Sequence, residues 1–433
     1  MKQNVLSKMG QRTAVPPISW LMHAALSRPK LISLAAGFTD NSTLPVEISR
    51  KLLNEILRSP KTGQPALQYG ITAGENNLRA LTAKHLQKLD GGHDSAHSPE
   101  HVIITGGSQQ LLYMTLEALC DEGDIILVED PTYFVFLSIL QSRGIKARGV
   151  KLERDGIDLA YLEKVLERLK KTGELRRVKA LYLVTYFQNP TGATTSLAKK
   201  SAALKLLKKF ERAAGHPIYL LEDAAYRELR FDHNDDIPTA LTLPGAKDRV
   251  IYTGTYSKPY APGARVGFGI LPEPIFTTVQ RIKGNHDFGT ANLLQQLLAG
   301  ALASGLYDKH IAKVQKNYAR KARVMKLALA EHFPKSVEIW ESGGGLYFWV
   351  RLPKGISAGV KSKVFQAALK ADVLYVPGEL CYADDPSRAK PDNEMRISFG
   401  SANEENIRKG IARLGKVLKK ILGAEKILRS NLD

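Results

Sequence analysis

From about residue 100 onward the chain alternates short, β-rich apolar runs with longer amphipathic ones, and this alternation limits what it can fold into. The runs at 101–105 (HVIIT), 124–129 (DIILVE), 146–151, 178–185 (VKALYLVT), 217–222 (PIYLLE), 249–255 and 265–270 read as strands. The stretches 108–120, 133–142, 158–171 and 196–213 read as helices. Strands alternating with helices predict an α/β unit around a mostly parallel sheet. After about residue 290 the character changes. Residues 291–333 predict nearly continuous helix, broken at Ser304-Gly305. Short strands at 345–351 and 395–399 and helices at 360–371 and 403–422 follow, forming a smaller α+β module. The expected division is an N-terminal arm that joins the small domain (1–45), a large domain (46–300) and the C-terminal small domain (301–433). In the last helix Ile407, Ile411, Leu414, Leu418 and Ile421 form one apolar stripe, expected to pack on the small domain.

Composition removes several alternatives. With 433 residues, 44% of them hydrophobic and 24% charged, the chain has globular composition. It lacks an uninterrupted apolar run of about 18 residues, the length that spans a bilayer. Two cysteines, Cys120 and Cys381, make no disulfide framework and fit buried thiols in a reducing, cytoplasmic setting. The net charge of +19, from 62 Lys+Arg against 43 Asp+Glu, is dispersed in separate pairs such as Lys170-Lys171 and Lys419-Lys420. No aromatics interleave with them, so neither nucleic acid nor a membrane is an expected partner. No acidic residue precedes Asp40, but no apolar leader core is present either, and a structural arm is the expectation rather than a transit segment. His93, His97 and His101 stand four apart like metal ligands on a helix. Ser98-Pro99 interrupts them, so a loop and no metal site is expected. Gly343-Gly344-Gly345 reads as a tight turn.

Ligands of an open α/β sheet bind beyond the carboxyl ends of its strands, so the residues after each strand carry the functional information. HVIIT is followed by Gly106-Gly107-Ser108-Gln109 at the start of a helix, and VKALYLVT by Asn189-Pro190-Thr191-Gly192. PIYLLE is followed by Asp223 and Tyr226, and the strand ending at Thr255 by Ser257, Lys258 and, seven residues on, Arg265. Glycines and a hydroxyl at a helix N-terminus suit a phosphate, and Thr255, Ser257 and Arg265 add hydroxyls and a forked cation to it. The spacing matches neither a Walker loop nor a dinucleotide fingerprint. A lysine beside that phosphate suits Schiff-base chemistry. A carboxylate at a strand end can hold a protonated ring nitrogen, and an amide with a phenol can bind a ring oxygen. Phosphate, carbonyl, pyridinium and phenolate together describe pyridoxal phosphate.

The same stretches resemble the class I/II pyridoxal-phosphate aminotransferases of fold type I, closest to the kynurenine/2-aminoadipate-like branch. The resemblance rests on PPISWLMHAALSRPKLISLAAGF (16–38), QYGITAGENNLR (68–79), ITGGSQQ (104–110), EDPTYFVF (129–136), FQNPTG (187–192), EDAAYRELRF (222–231), GTYSKPYAPGARVGFGI (254–270), GGGLYFWV (343–350) and MRISFG (395–400). It implies a large domain with a mostly parallel seven-stranded sheet between helices, plus a smaller α+β domain. It assigns the Schiff base and the proton transfer at the substrate Cα to Lys258, the ring nitrogen to Asp223, and the ring oxygen to Asn189 and Tyr226. Tyr133 would stack on the ring; Ser108, Gln109, Thr255, Ser257 and Arg265 would hold the phosphate. Arg396 would clamp the substrate α-carboxylate, with Asn189 and Gly37 beside it. Tyr69 would reach the neighbouring subunit's phosphate, making the active form a homodimer, and Asn189-Pro190 would be cis.

The implied activity is transfer of the amino group of an aromatic, branched-chain or 2-aminoadipate-like L-amino acid to a 2-oxo acid such as 2-oxoglutarate, in a ping-pong sequence. Fold type I also hosts lyases, decarboxylases and cyclising synthases, so another reaction of the same cofactor stays open. A non-enzymatic effector sensor is the third reading. It requires a DNA-binding domain ahead of the match, which here begins by about residue 16. Thr185-Tyr186 stands where the family often has proline, and Cys381 where an aromatic is usual; both departures are expected to bear on the substrate pocket.

Overall fold

The computed structural model describes residues 5–92, 98–231 and 237–430. Among the described residues fourteen strands, β1 to β14, fall into three sheets. The large one uses β2 (Val102–Thr105), β3 (Ile125–Asp130), β4 (Lys146–Glu153), β5 (Gly156–Ile157), β6 (Val178–Val184), β7 (Tyr219–Asp223), β8 (Val250–Thr255) and β9 (Gly267–Ile270), in the order β2-β9-β8-β7-β6-β3-β4-β5. The neighbours from β8 through β7, β6 and β3 to β4 are parallel, and β9 runs antiparallel between β8 and β2. The expected seven strands are present. The eighth, β5, is a two-residue addition antiparallel to β4.

The periodicity explains why these strands were legible. β2, β3, β7, β8 and β9 are buried at every residue, because helices cover both faces of a parallel sheet and leave no polar side to alternate with. The two main apolar clusters lie on opposite faces of that sheet. One includes Ile103, Ile126, Val128 and Tyr182, the other Ile104, Ile125, Leu127 and Leu181.

The second sheet is β10 (Glu338–Trp340), β11 (Tyr347–Arg351), β14 (Glu394–Ser398) and β13 (Val376–Pro377), all antiparallel. A third, minimal sheet pairs β1 (Ile32–Ser33) with β12 (Val373–Leu374). Leu34 carries this contact further: its N–H donates to Leu374 and its carbonyl accepts from Ser398. Residues 32–34 are therefore tied to the C-terminal module, whereas helix Lys8–Arg12 packs on helix Phe134–Arg143 and Arg12 donates to the Ser142 carbonyl at 2.8 Å.

The long helical run divides into Asn292–Ala303 and Leu306–His332, with Gly305 at φ 70° between them, a left-handed position that favours glycine. Helix Glu404–Ser430 lies along Leu306–His332, and Ile407, Ile411, Leu414 and Leu418 are all fully buried. Leu414→Ala should cost about 3 kcal/mol through lost burial and an unfilled cavity. The expected result is a lower chemical-denaturation midpoint with unchanged turnover per folded molecule. Among the described residues no helix is long and apolar enough to cross a membrane. His93 and His97 lie outside the described residues, and His101 closes the short turn Pro99–His101.

Candidate active site

A cavity of about 310 Å³ opens at the carboxyl edge of the large sheet. It is lined by Ser108, Gln109, Tyr133, Asn189, Asp223 and Tyr226, and also by Thr255, Ser257, Lys258, Arg265, Arg396 and Gly37. The topology explains the convergence. β2, β3, β6, β7 and β8 end on this edge, while antiparallel β9 begins there, with Thr105 and Thr255 both opposite Gly267. Arg265, two residues before β9, is thereby delivered to the loop that follows β2.

At that corner helix Ser108–Leu119 starts with Gly107 at φ 96°. A Cβ on Gly107 would lie 2.7 Å from the Arg265 guanidinium, so glycine permits both the turn and the approach of the cation. The first N–H groups of a helix have no acceptor within it and face outward. Arg265 donates to the Gly106 carbonyl at 3.1 Å and to Ser257 Oγ at 3.5 Å, and the Ser257 N–H donates to Thr255 Oγ1 at 3.1 Å. Helix N–H groups, hydroxyls and a forked cation thus meet in one cradle suited to a phosphate.

Asp223 ends β7 in full burial. Tyr182 donates to its Oδ2 at 2.8 Å and the Ala225 N–H to its Oδ1 at 3.1 Å. Burial outweighs both hydrogen bonds and pushes this carboxyl up to about 6. Lys258 points across the cavity, its Nζ donating to the Gly37 carbonyl at 2.7 Å. Burial, with the positive charges of Arg396 and Arg265, draws its amine down to about 8.

The far wall comes from the small sheet. Arg396 on β14 is 1% exposed and donates to Asn189 Oδ1 at 2.6 Å and to the Ala35 carbonyl at 2.5 Å. Its Nε has no partner, and among the described residues no carboxylate pairs with it. Asn189 in turn donates from Nδ2 to Tyr226 Oη at 3.4 Å. The Asn189–Pro190 bond is cis, as the resemblance implies.

The sequence reading missed four side chains. Tyr182, which holds Asp223, sits mid-strand in a run that reads only as apolar; its phenol in a buried strand was the available signal, since such a hydroxyl needs a partner. Phe38, Phe134 and Tyr347 line the cavity with no signal of their own. Tyr69 does not line it. It is 82% exposed, its ring edge-on to Phe288. Neither family departure lines the cavity itself, and Cys381 lies near enough to the lining residues Tyr347 and Arg396 to interact with both. Cys381 is buried off the cavity wall, and Thr185 and Tyr186 bond instead to the interior Glu222 and Lys200.

A neutral-prone buried carboxyl facing a cavity is stabilised by a cation there, and the cradle about Arg265 is stabilised by an anion. A ring carrying a pyridinium nitrogen and a phosphate supplies both, so the donor set fits pyridoxal phosphate. Fold and donor set together define a fold type I pyridoxal-phosphate enzyme. Residues 29–414 match the family model described as aminotransferase class I and II. The chain is 34% identical to the 2-aminoadipate transaminase of Thermus thermophilus over 402 residues, 91% of this chain and 92% of that one. It is also 34% identical to aromatic-amino-acid aminotransferase 1 of Thermococcus litoralis, over 90% of this chain and 88% of that one. The crystal structure of Pyrococcus horikoshii kynurenine aminotransferase, in complex with PMP, superposes with a TM-score of 0.86 at 32% identity, covering 96% of this chain and 98% of that one. The chain belongs to the class I and II aminotransferases. It is an amino-acid transaminase with pyridoxal phosphate as cofactor.

Proposed function

We propose that the cavity moves the amino group of an aromatic, branched-chain or 2-aminoadipate-like L-amino acid to a 2-oxo acid such as 2-oxoglutarate, in two half-reactions at one site. The observation that carries the reading is Arg396: a buried guanidinium with an unpartnered Nε and no anion of the described residues beside it. A substrate α-carboxylate supplies that anion in a forked pair of hydrogen bonds. Relatives named for 2-aminoadipate and aromatic amino acids support the substrate range.

Bound pyridoxal phosphate supplies an electrophilic carbonyl and a ring that accepts electrons from the substrate α-carbon. Ser108, Gln109, Thr255, Ser257 and Arg265 would hold its phosphate, Tyr133 would pack on its ring, and Asp223 would keep a proton on the ring nitrogen. Asn189 and Tyr226 donate to the ring oxygen. Lys258 would be the residue that holds the cofactor's carbonyl carbon through Nζ, and an amine near 8 can give and take a proton at the substrate α-carbon at neutral pH. Phe38, Gly37 and Tyr347 close over the substrate end and limit water.

The same reading keeps the division at 1–45, 46–300 and 301–433 and a cytoplasmic setting. It also makes the active form a homodimer with Tyr69 reaching the second site. Leu67, Tyr69, Ile71 and Phe288 form an exposed apolar patch that a second copy would cover.

The deciding experiment is an absorbance titration of the purified protein with single L-amino acids and no oxo acid. Replacement of the bound pyridoxal phosphate band by the pyridoxamine phosphate band identifies both the half-reaction and the substrate class. A band that persists with every amino acid favours the lyase or synthase reading. Arg396→Ala should raise KM for every amino and oxo acid by about 100-fold, the scale of losing a charged hydrogen-bonded partner; an effect confined to one substrate contradicts the clamp.

A further inference from the structure

Tyr347 comes from β11 in the small sheet, yet its hydroxyl lies 2.9 Å from that of Tyr226 in the large domain. The two rings meet edge-on with centroids 5.5 Å apart, and both are buried. Which hydroxyl donates depends on what surrounds them. Arg396 can only donate, and its bond to Asn189 Oδ1 fixes the orientation of that amide. Asn189 Nδ2 is therefore a donor to Tyr226 and occupies one lone pair of its oxygen. The Arg396 guanidinium lies 4.4 Å from the centroid of the Tyr347 ring. Although burial raises Tyr347 overall, this charge favours loss of its proton, and no other acceptor competes for that proton among the hydrogen bonds of the described residues. Geometry lets either hydroxyl donate; where Tyr226 gives its one proton to the ring oxygen, Tyr347 is the donor in the 2.9 Å contact. With both acceptor positions of Tyr226 filled from behind, its single O–H has one direction left, into the cavity.

We propose that Tyr347 is a positioning residue: its hydroxyl aims the Tyr226 proton at the cofactor's ring oxygen and strengthens that hydrogen bond. The inference rests on the reading of Tyr226 as the ring-oxygen donor. A donor that itself accepts two hydrogen bonds is polarised and gives a stronger bond onward. A stronger bond to the ring oxygen stabilises its anion and lowers the pH at which the neighbouring cofactor nitrogen loses its proton. The titratable and charged groups facing the pair are Arg396 from β14, Lys258, whose Nζ lies 6.0 Å from the Tyr226 ring centroid, Tyr133 and Cys381. Each is retained in the variants below.

The test is a spectrophotometric pH titration of the bound cofactor's visible band in the holoenzyme. Tyr347→Phe removes one hydroxyl and should shift the midpoint upward by about half a pH unit, a fraction of one charge-assisted hydrogen bond. Tyr226→Phe should shift it by about one unit or more in the same direction. The double variant should go no further than Tyr226→Phe alone. A wild-type midpoint in Tyr347→Phe beside a shifted Tyr226→Phe overturns the proposal and leaves the Tyr226 reading standing. If Tyr226→Phe does not shift either, that reading itself fails. Additive shifts in the double variant overturn the proposal, because Tyr347 then acts on the cofactor without Tyr226. Gly37→Ala supplies an independent variant: a Cβ at Gly37 would overlap the Tyr347 hydroxyl and push it off Tyr226. It should reproduce the upward shift, and an unshifted midpoint there counts against the proposal. The unfolding temperature of each apoenzyme separates these effects from misfolding.

Discussion

Lys258→Ala should end multiple turnover, with a fall in rate of about 10⁴-fold or more, the scale of losing a positioned acid/base together with a covalent anchor. The size follows from what the site does to this amine. An unperturbed lysine at 10.5 is neutral in only about 0.03% of molecules at pH 7, whereas one drawn down to about 8 is neutral in about a tenth. Burial and the two arginines therefore raise the reactive fraction by a factor of roughly 300. No neighbour can replace it. The other titratable groups lining the cavity are a carboxyl, buried phenols and guanidinium groups, none of them an amine that can condense with a carbonyl at neutral pH. The sign of the pH effect is also determined. Below 8 the capture of pyridoxal phosphate by apoenzyme should accelerate about tenfold per pH unit, then level off above it. Removing the side chain also removes a buried cation, so the apoenzyme of Lys258→Ala should unfold at the same temperature as wild type or higher. Retained steady-state turnover in that variant would sink the assignment of the site.

How much of this was legible depended on what kind of signal each part leaves in a sequence. Parallel strands buried on both faces appear as unbroken apolar runs, so VIIT, IILVED and YLLED were found within a residue or two of their limits. The cavity-lining residues Ser108, Asn189, Asp223 and Lys258 were legible because they stand at or just after the ends of such runs. Contacts made across the chain left no such mark. β1 and β12 are two residues each, below any periodicity, yet they bring Ala35 and Gly37 against Arg396 and Lys258. The helices Val46–Ile56, Pro60–Leu67, Asn76–Leu89 and Ile275–His286 went unread. Proline inside Pro60–Leu67 and a polar first turn in Asn76–Leu89 blur their patterns. Buried charge is the deepest blind spot. Lys200 and Glu222 are paired at 2.8 Å with neither side chain exposed, and nothing in the sequence marks such a lysine as buried rather than solvated. Glu222 stands directly before Asp223, and its contacts with Lys200 and Thr185 hold the end of β7.

Asp223→Asn should lower kcat by about 10²- to 10³-fold and weaken retention of the cofactor, the loss expected when one preorganised charge at a reacting group is removed. The substitution nearly preserves shape. Asn can still accept from the Ala225 N–H, and Tyr182 can reverse its hydroxyl to accept from the new amide. What disappears is the anion proposed to hold a protonated ring nitrogen. The same carboxyl has an opposite effect on the apoenzyme, and its sign follows from the shift. Its native value, about 6, lies above the ordinary 3.8 of an aspartate. Below 3.8 both native and unfolded states hold the proton and the group contributes no pH dependence. Between 3.8 and about 6 the unfolded chain has released the proton and the native state has not, so native stability falls as pH rises, by up to about 1.4 kcal/mol per pH unit. Above 6 both are ionised and the cost stays constant until a cation is placed against the carboxylate. Unfolding of wild-type and Asp223→Asn apoenzymes should therefore diverge across that window, with the variant the more stable at about pH 7. Adding pyridoxal phosphate should reverse the order, because only the wild type gains the ion pair. If the two proteins unfold in parallel from about pH 4 to 7, and bind the cofactor equally well, Asp223 is not the partner of the ring nitrogen.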